Sequence, residues 1–200
     1  MQAPAKTKNR TRTEQKIISA VENLLLQQGF PAVGINAIAR EAGCDKVLIY
    51  RYFDGLDGLL QRVADNNDLW WSVDEIITEN MDEISQIPMP RLLDQLLKRH
   101  IKAVQKRPLT QEIMAWEMSA SNTLTRALSK ARTEQGMLLV KKLRQHYEQP
   151  SIDIGGILGI FGAAINYLLI RTRHGNSEYE KEEWWRLEHT ISSLLNCQQA

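Results

Sequence analysis

The stretch DKVLIYRYF at residues 45–53 gathers side chains that can read a nucleic acid. On a helix, Lys46, Val47, Tyr50 and Arg51 share one face, because residues three and four apart lie side by side. A cation can sit on a guanine edge, an aliphatic group on a thymine methyl, and a phenol hydroxyl on a phosphate. An ordinary helical hairpin with an exposed basic and aromatic face would show the same residues, and the stretch by itself does not separate the two readings. Reactive constellations are otherwise scarce. His100, His146, His174 and His189 form no HExxH and no paired ligand spacing, and no nucleophile elbow, P-loop or paired-carboxylate motif occurs. Cys44 and Cys197 lie far apart with no CxxC, which excludes a disulfide framework and a structural zinc site. No catalytic residue, metal or cofactor is expected, and the chain is not expected to be an enzyme.

The elements that must position this face are all helical. Thr13–Gln28 carries Ile17, Ala20, Val21, Leu24 and Leu25 at helical spacing and stops at Gly29. Ile35–Ala42 is a two-turn helix closed by Gly43, and Asp45 is placed to cap a second short helix over Lys46–Tyr52. A long helix is expected from Asp57 to Asn80, then helices over Pro90–Arg107, Pro108–Ala120, Thr123–Tyr147, Asp153–Arg173 and Glu180–Asn196. Pro88, Pro90, Pro108 and Pro150 fall at the joints. Nothing alternates with a strand period. The expected fold is all-α: a three-helix head containing a helix-turn-helix, and a six-helix body.

In the helix-turn-helix, a first short helix crosses the nucleic-acid backbone and a second enters the major groove. Here Ile38 and Ile49 supply core, Ala39 is small at the crossing, and Phe53 closes the unit. The quoted residues go further than that general pattern. IAREAG at 38–43, then YF at 52–53 beyond CDKVLIYR, with a preceding helix ending in LLLQQGF, resembles the DNA-binding head of the TetR family of transcriptional repressors. The resemblance covers residues 13–62, and the rest matches only in general character.

It implies a homodimer on a palindromic operator in double-stranded DNA, released when a small-molecule effector enters the body. It also implies that Asn36 meets a base or phosphate, that Lys46, Val47 and Leu48 enter the groove, and that Tyr50 and Tyr52 contact phosphates and bases, with Arg51 on the same helix. Three positions depart from the family pattern. Gly34 replaces the usual Ser/Thr, Val47-Leu48 replaces Gly-Thr, and Leu56 replaces a lysine that anchors phosphate. The resemblance divides the chain into a flexible basic tail (1–12), a DNA-binding domain (13–56) and a ligand-binding and dimerisation domain (57–200).

Charge is distributed to match. Residues 1–62 carry nine Lys/Arg against six Asp/Glu, and residues 63–200 carry sixteen against eighteen. Lys6, Lys8, Arg10, Arg12 and Lys16 form a tail that attracts phosphate, or merely solubilises the terminus. The seven acidic residues of 63–83 are expected on a solvated helix face. Trp70, Trp71, Met114, Trp116 and Met118 are candidates for an adaptable apolar pocket, with Asn166 and Tyr167 as polar handles; plain core packing and an interhelical hydrogen bond are the competing readings. On one continuous helix Trp70 and Trp71 would diverge by about 100°.

Ile154–Ile170 is almost wholly apolar but shorter than the roughly 20 residues of a membrane span. Gly155, Gly159 and Ala163 make a small-residue stripe, expected at a dimer interface. No membrane partner is expected, and the polar, basic N-terminal stretch points to the cytoplasm. The rival to a ligand-responsive regulator is a helical binder of DNA shape or of protein partners with no small-molecule signal.

Overall fold

A computed structural model describes residues 5–146, 153–175 and 178–196; Pro150, Cys197 and the first residues of the expected tail lie outside these. Among the described residues there are eleven α-helices, a single 3-10 turn at Phe30–Ala32, and no strand. Contacts divide the chain into two compact units, Met1–Leu69 with Glu112–Ser129, and Trp70–Gln111 with Lys130–Ala200.

In the first unit, α1 (Ala5–Gln28) packs against α2 (Ile35–Ala42) and α4 (Leu56–Asn66), while α3 (Val47–Phe53) packs on α4. The core comes from the expected spacing: Ile17, Val21 and Leu25 of α1, Ile38 of α2, Ile49 and Phe53 of α3, and Leu59 and Val63 of α4 are all buried. Each such side chain contributes roughly 1.5–3 kcal/mol when withdrawn from water. The first helix starts at Ala5 rather than Thr13, so the basic residues expected in a flexible tail extend α1 instead.

The joints of the head are made by backbone conformation. Gly43 is left-handed (φ 62, ψ 41), with its N–H on the Arg40 carbonyl and the Cys44 N–H on the Ala39 carbonyl. This double bond is a Schellman ending, which satisfies the last carbonyls of α2 and turns the chain sharply. Asp45 then caps α3 as expected, its Oδ1 accepting from Val47 N at 2.9 Å. A second left-handed residue, Asp54 (φ 59), ends α3, and Gly55 (φ 103) starts α4. Close beside it, a methyl placed on Gly58 would fall against the backbone carbonyl oxygen of Phe53, well inside van der Waals contact.

The expected helix Asp57–Asn80 is not continuous. It ends at Asn66, and only two four-residue helices follow, α5 (Val73–Ile76) and α6 (Met81–Ile84). The break lies at Asn66-Asn67-Asp68, residue types whose side chains compete with the helical backbone. Asn67 Nδ2 donates both to the Val63 carbonyl and to Glu22 Oε1 of α1, each at 2.8 Å, which ends α4 and ties it to α1. Ser72 Oγ then accepts from Glu75 N to start α5. The chain from Leu56 onward therefore carries eight helices among the described residues, not six.

In the second unit, α7 (Met89–Gln105) packs against α5, α10 (Ile154–Thr172) and α11 (Glu178–Asn196). Two further helices, α8 (Pro108–Glu117) and α9 (Thr123–His146), complete the chain. The acidic stretch is not a uniformly solvated face. Arg99 of α7 holds Glu79 through both guanidinium nitrogens, Arg107 holds Glu75 (2.7 Å), and Lys142 of α9 meets Asp74 (2.8 Å). Inside these pairs Val73, Ile76, Ile77 and Ile84 are buried. The Arg99 guanidinium holds the Glu79 carboxyl down to about 2.

The contact at Gly58 yields a stability prediction. Gly58→Ala forces α3 and α4 apart and should destabilise the protein by roughly 1–3 kcal/mol, as overpacking does. Urea denaturation followed by far-UV circular dichroism measures it, and a variant as stable as the parent would show that this joint is not close-packed.

Candidate nucleic-acid interface

The orientation of α3 follows from what it buries. Ile49 and Phe53, one turn apart, face inward and are 0% and 7% exposed. Val47 and Tyr50 project the other way, at 61% and 57% exposed, and Lys46 and Arg51 are exposed beside them. Leu48 and Tyr52 form a half-buried flank of the same helix, and Asn36 is exposed near the start of α2. Thus Lys46, Val47, Tyr50 and Arg51 make one outward surface of two cations, an aliphatic group and a phenol. Its chemistry suits base edges and phosphates.

Gly34 starts α2 without a side-chain cap. Asp57, next to the unusual Leu56, accepts from Thr123 Oγ1 at 3.2 Å. Cys44 is half-buried in the turn, and that burial raises its thiol pKa, which suits an inert filler. One residue of the basic tail makes a contact that the sequence did not show. Arg10 of α1 places its guanidinium 5.1 Å from the centre of the Tyr52 ring, and its Nε donates to Glu14 at 2.7 Å. The Arg10–Glu14 spacing was readable; the long-range contact to Tyr52 was not.

The seven residues proposed for a pocket are divided between the two units. Met114 and Trp116 are buried in the first unit, where Trp116 stacks on Phe30. Met118 is 78% exposed and Tyr167 63% exposed, so neither lines an enclosed space in this chain. Trp70 and Trp71 belong to the second unit, outside any helix, and both are 5% exposed. Freed from helical geometry, the two rings both pack on His100, at 5.5 and 5.8 Å between centroids. An open groove of about 540 Å³ runs elsewhere along α9, lined by Gly136, Met137, Val140, Lys141, Arg144 and Gln145.

His100 is the centre of a fixed polar chain. The Trp71 indole N–H donates to Nδ1 at 2.7 Å, and Nε2 lies 3.0 Å from Asn166 Oδ1. Because indole can only donate, Nδ1 must be bare and Nε2 carries the proton to Asn166. Asn166 of α10 thereby makes the interhelical bond that was one of its two readings. Burial pushes the His100 pKa down to about 4.

Along α10, Gly159 and Ala163 are exposed and Gly155 is half-buried against Asp153 and Val140. Ile160 is 72% exposed and Leu168 buried. This helix is long and apolar enough to cross a membrane by length and composition, and 22% of its most apolar window is buried in the chain.

Comparison with known proteins places the head. Residues 17–63 match the family model described as bacterial regulatory proteins, tetR family. An HTH-type transcriptional regulator of Mycobacterium tuberculosis is 41% identical over 51 residues, 24% of this chain and 25% of the relative. The chain thus spans about a quarter of the length of the curated relatives it matches. Across the whole fold, it is similar to a TetR-family transcriptional regulator of Syntrophomonas wolfei (TM-score 0.61, 12% identity, 92% of this chain and 95% of that one). It is also similar to the hemolysin II transcriptional regulator HlyIIR (TM-score 0.59, 18% identity, 92% and 97%). The fatty acid degradation regulator FadR of Bacillus halodurans gives 0.56 at 16% identity over 90% and 96%. Residues 17–63 are thus similar to the DNA-binding head of the tetR family, and the all-α fold of the chain is similar to that of solved TetR-family regulators.

The His100 geometry predicts a pH dependence. Unfolded histidine takes a proton near its ordinary value of 6.5 while folded His100 stays neutral to about 4, so its contribution to stability is lost as pH falls through that window. The slope is up to about 1.4 kcal/mol per pH unit. His100→Gln keeps an acceptor for Trp71 and a donor for Asn166, and should flatten the wild-type profile between those values in urea denaturation. Parallel profiles for the two proteins would show that His100 titrates freely.

Proposed function

We propose that this protein is a ligand-responsive transcriptional repressor that binds a palindromic operator as a dimer and is released by a small, mainly apolar molecule. The observation that carries the reading is the outward face of Lys46, Val47, Tyr50 and Arg51, held on a helix whose other side is locked by Ile49 and Phe53. It lies within the stretch matched by the family model. In this reading residues 13–56 bind DNA, residues 57–200 bind the effector and the second copy, and the protein works in the cytoplasm without catalysis. Lys46 and Arg51 contact base edges or phosphates, Val47 and Leu48 meet thymine methyls, and Asn36, Tyr50 and Tyr52 fix the register through phosphates.

Dimerisation is supported by α10. Its outer face shows Gly159, Ile160, Ala163 and Tyr167, an apolar strip with small residues where a second backbone can approach closely. Two-fold symmetry would set two recognition helices about 34–36 Å apart, one turn of DNA, or a multiple of it. Effector binding is assigned to the second unit, with Trp70, Trp71 and Asn166 as the reporting residues around His100. An effector releases DNA only by binding the DNA-incompetent arrangement more tightly.

Two measurements test these parts separately. Apolar compounds that quench tryptophan emission should weaken operator affinity about 5–150-fold, the usual range of coupling; a compound that binds tightly and leaves operator affinity unchanged contradicts release by that compound. Gly159→Leu should convert a dimer to a monomer in sedimentation at micromolar concentration, and a wild type that is already monomeric there contradicts the assembly.

A further inference from the structure

Tyr52 lies on the half-buried flank of α3, and one residue from a different helix sits on its ring. The Arg10 guanidinium stands 5.1 Å from the Tyr52 centroid, within range of a cation–π contact. Arg10 is itself held: its Nε donates to Glu14, one turn further along α1, at 2.7 Å, and the pair is solvent-exposed on the arginine side. Arg10 belongs to the part of α1 that extends beyond Thr13, so the helical extension is what brings a cation to the recognition helix.

We propose that Arg10 is a positioning residue for DNA binding: it fixes the Tyr52 ring so that the phenol hydroxyl meets a phosphate, and it brings its own charge beside that phosphate. The inference rests on the reading of the head as a DNA-binding unit. Three features support it. The contact uses the ring face, so the Tyr52 hydroxyl at the ring edge stays available as a donor. The Glu14 bond uses Nε, and the terminal NH2 groups of the guanidinium fork have the geometry for phosphate oxygens. The first turn of α4 carries Leu56 and Asp57 and no cation, so α1 supplies positive charge on this side of the head where α4 starts without any.

The test is a mutant cycle on binding to a labelled short DNA duplex of arbitrary sequence, read by fluorescence anisotropy over a range of salt concentrations. Such a duplex reports phosphate contacts without requiring the operator. Tyr52→Phe keeps the ring and loses the hydroxyl. It should weaken wild-type binding roughly tenfold, as loss of a hydrogen bond to a charged oxygen does, and should cost nothing further in an Arg10→Ala background. Arg10→Ala should also lower the slope of log K against log salt by about 0.9, one phosphate contact. Equal costs of Tyr52→Phe in both backgrounds would overturn the positioning role, and an unchanged salt slope would reduce Arg10 to a structural residue and overturn it too. Arg10→Lys keeps the charge without the planar stack, and should retain the slope while losing the coupling; full coupling in that variant contradicts the stacking geometry. Circular dichroism and melting of each variant show that the head is folded. If the wild-type protein binds no duplex even at low salt, the DNA-binding reading falls with the proposal, whereas normal wild-type binding with additive variants sinks the proposal alone.

Discussion

A recognition helix of seven residues cannot hold itself together. Isolated helices shorter than about 12–15 residues are marginal in water, so Val47–Phe53 exists because Ile49 and Phe53 are clamped into the core of the head. That constraint fixes everything outward of it. With Ile49 and Phe53 inward, helical geometry leaves Val47, Tyr50 and Arg51 no direction but solvent, and the Asp45 cap sets where the helix begins. The two joints do the rest. The left-handed Gly43 and its Schellman bonds aim α3 away from α2, and the left-handed Asp54 followed by the crowded Gly58 brings α4 back under it.

Beyond the head, polar bonding replaces the helical continuity that the sequence suggested. The chain from Asn67 to Pro88 holds little helix, and its order comes from side chains: Asn67 on α1, Arg99 on Glu79, Arg107 on Glu75, and the Trp71–His100–Asn166 chain. The ion pairs are partly screened and each contributes modestly, whereas the buried chain is fully bonded at His100 and would be costly to break. The tryptophans are consequently held by a hydrogen bond and by ring packing rather than by helical register.

Local rules made the head legible. Apolar spacing gave α1, α2 and α3 to within a residue or so at most ends, because Gly43, Asp45 and Gly29 are strong local punctuation. The outward face of α3 was equally readable, since it is the complement of Ile49 and Phe53. Failures came where distant contacts decide. Apolar spacing runs on from Val63 toward Asn80, but the Asn66-Asn67-Asp68 run interrupts it and Asn67 is fixed there by Glu22, a partner no window of local sequence contains. For the same reason Trp70 and Trp71 were expected to diverge by about 100° around a helix and instead meet one histidine. Met118 and Tyr167 looked like pocket residues by type and lie on the surface, because side-chain type carries no information about which helices flank it. Arg10 was counted as part of a charge run, and its partner Tyr52 lies on another helix.

In the proposed reading, the outward face of α3 reads DNA sequence. Selection of binding sites from a pool of random duplexes, carried out in parallel with the wild-type protein and with Lys46→Ala, tests it most directly. The wild type should enrich an inverted repeat, and Lys46→Ala a repeat with relaxed preference at one position per half-site, the result of losing a contact of roughly 1–3 kcal/mol. No enriched sequence from the wild type, or an identical sequence preference from both proteins, would contradict it.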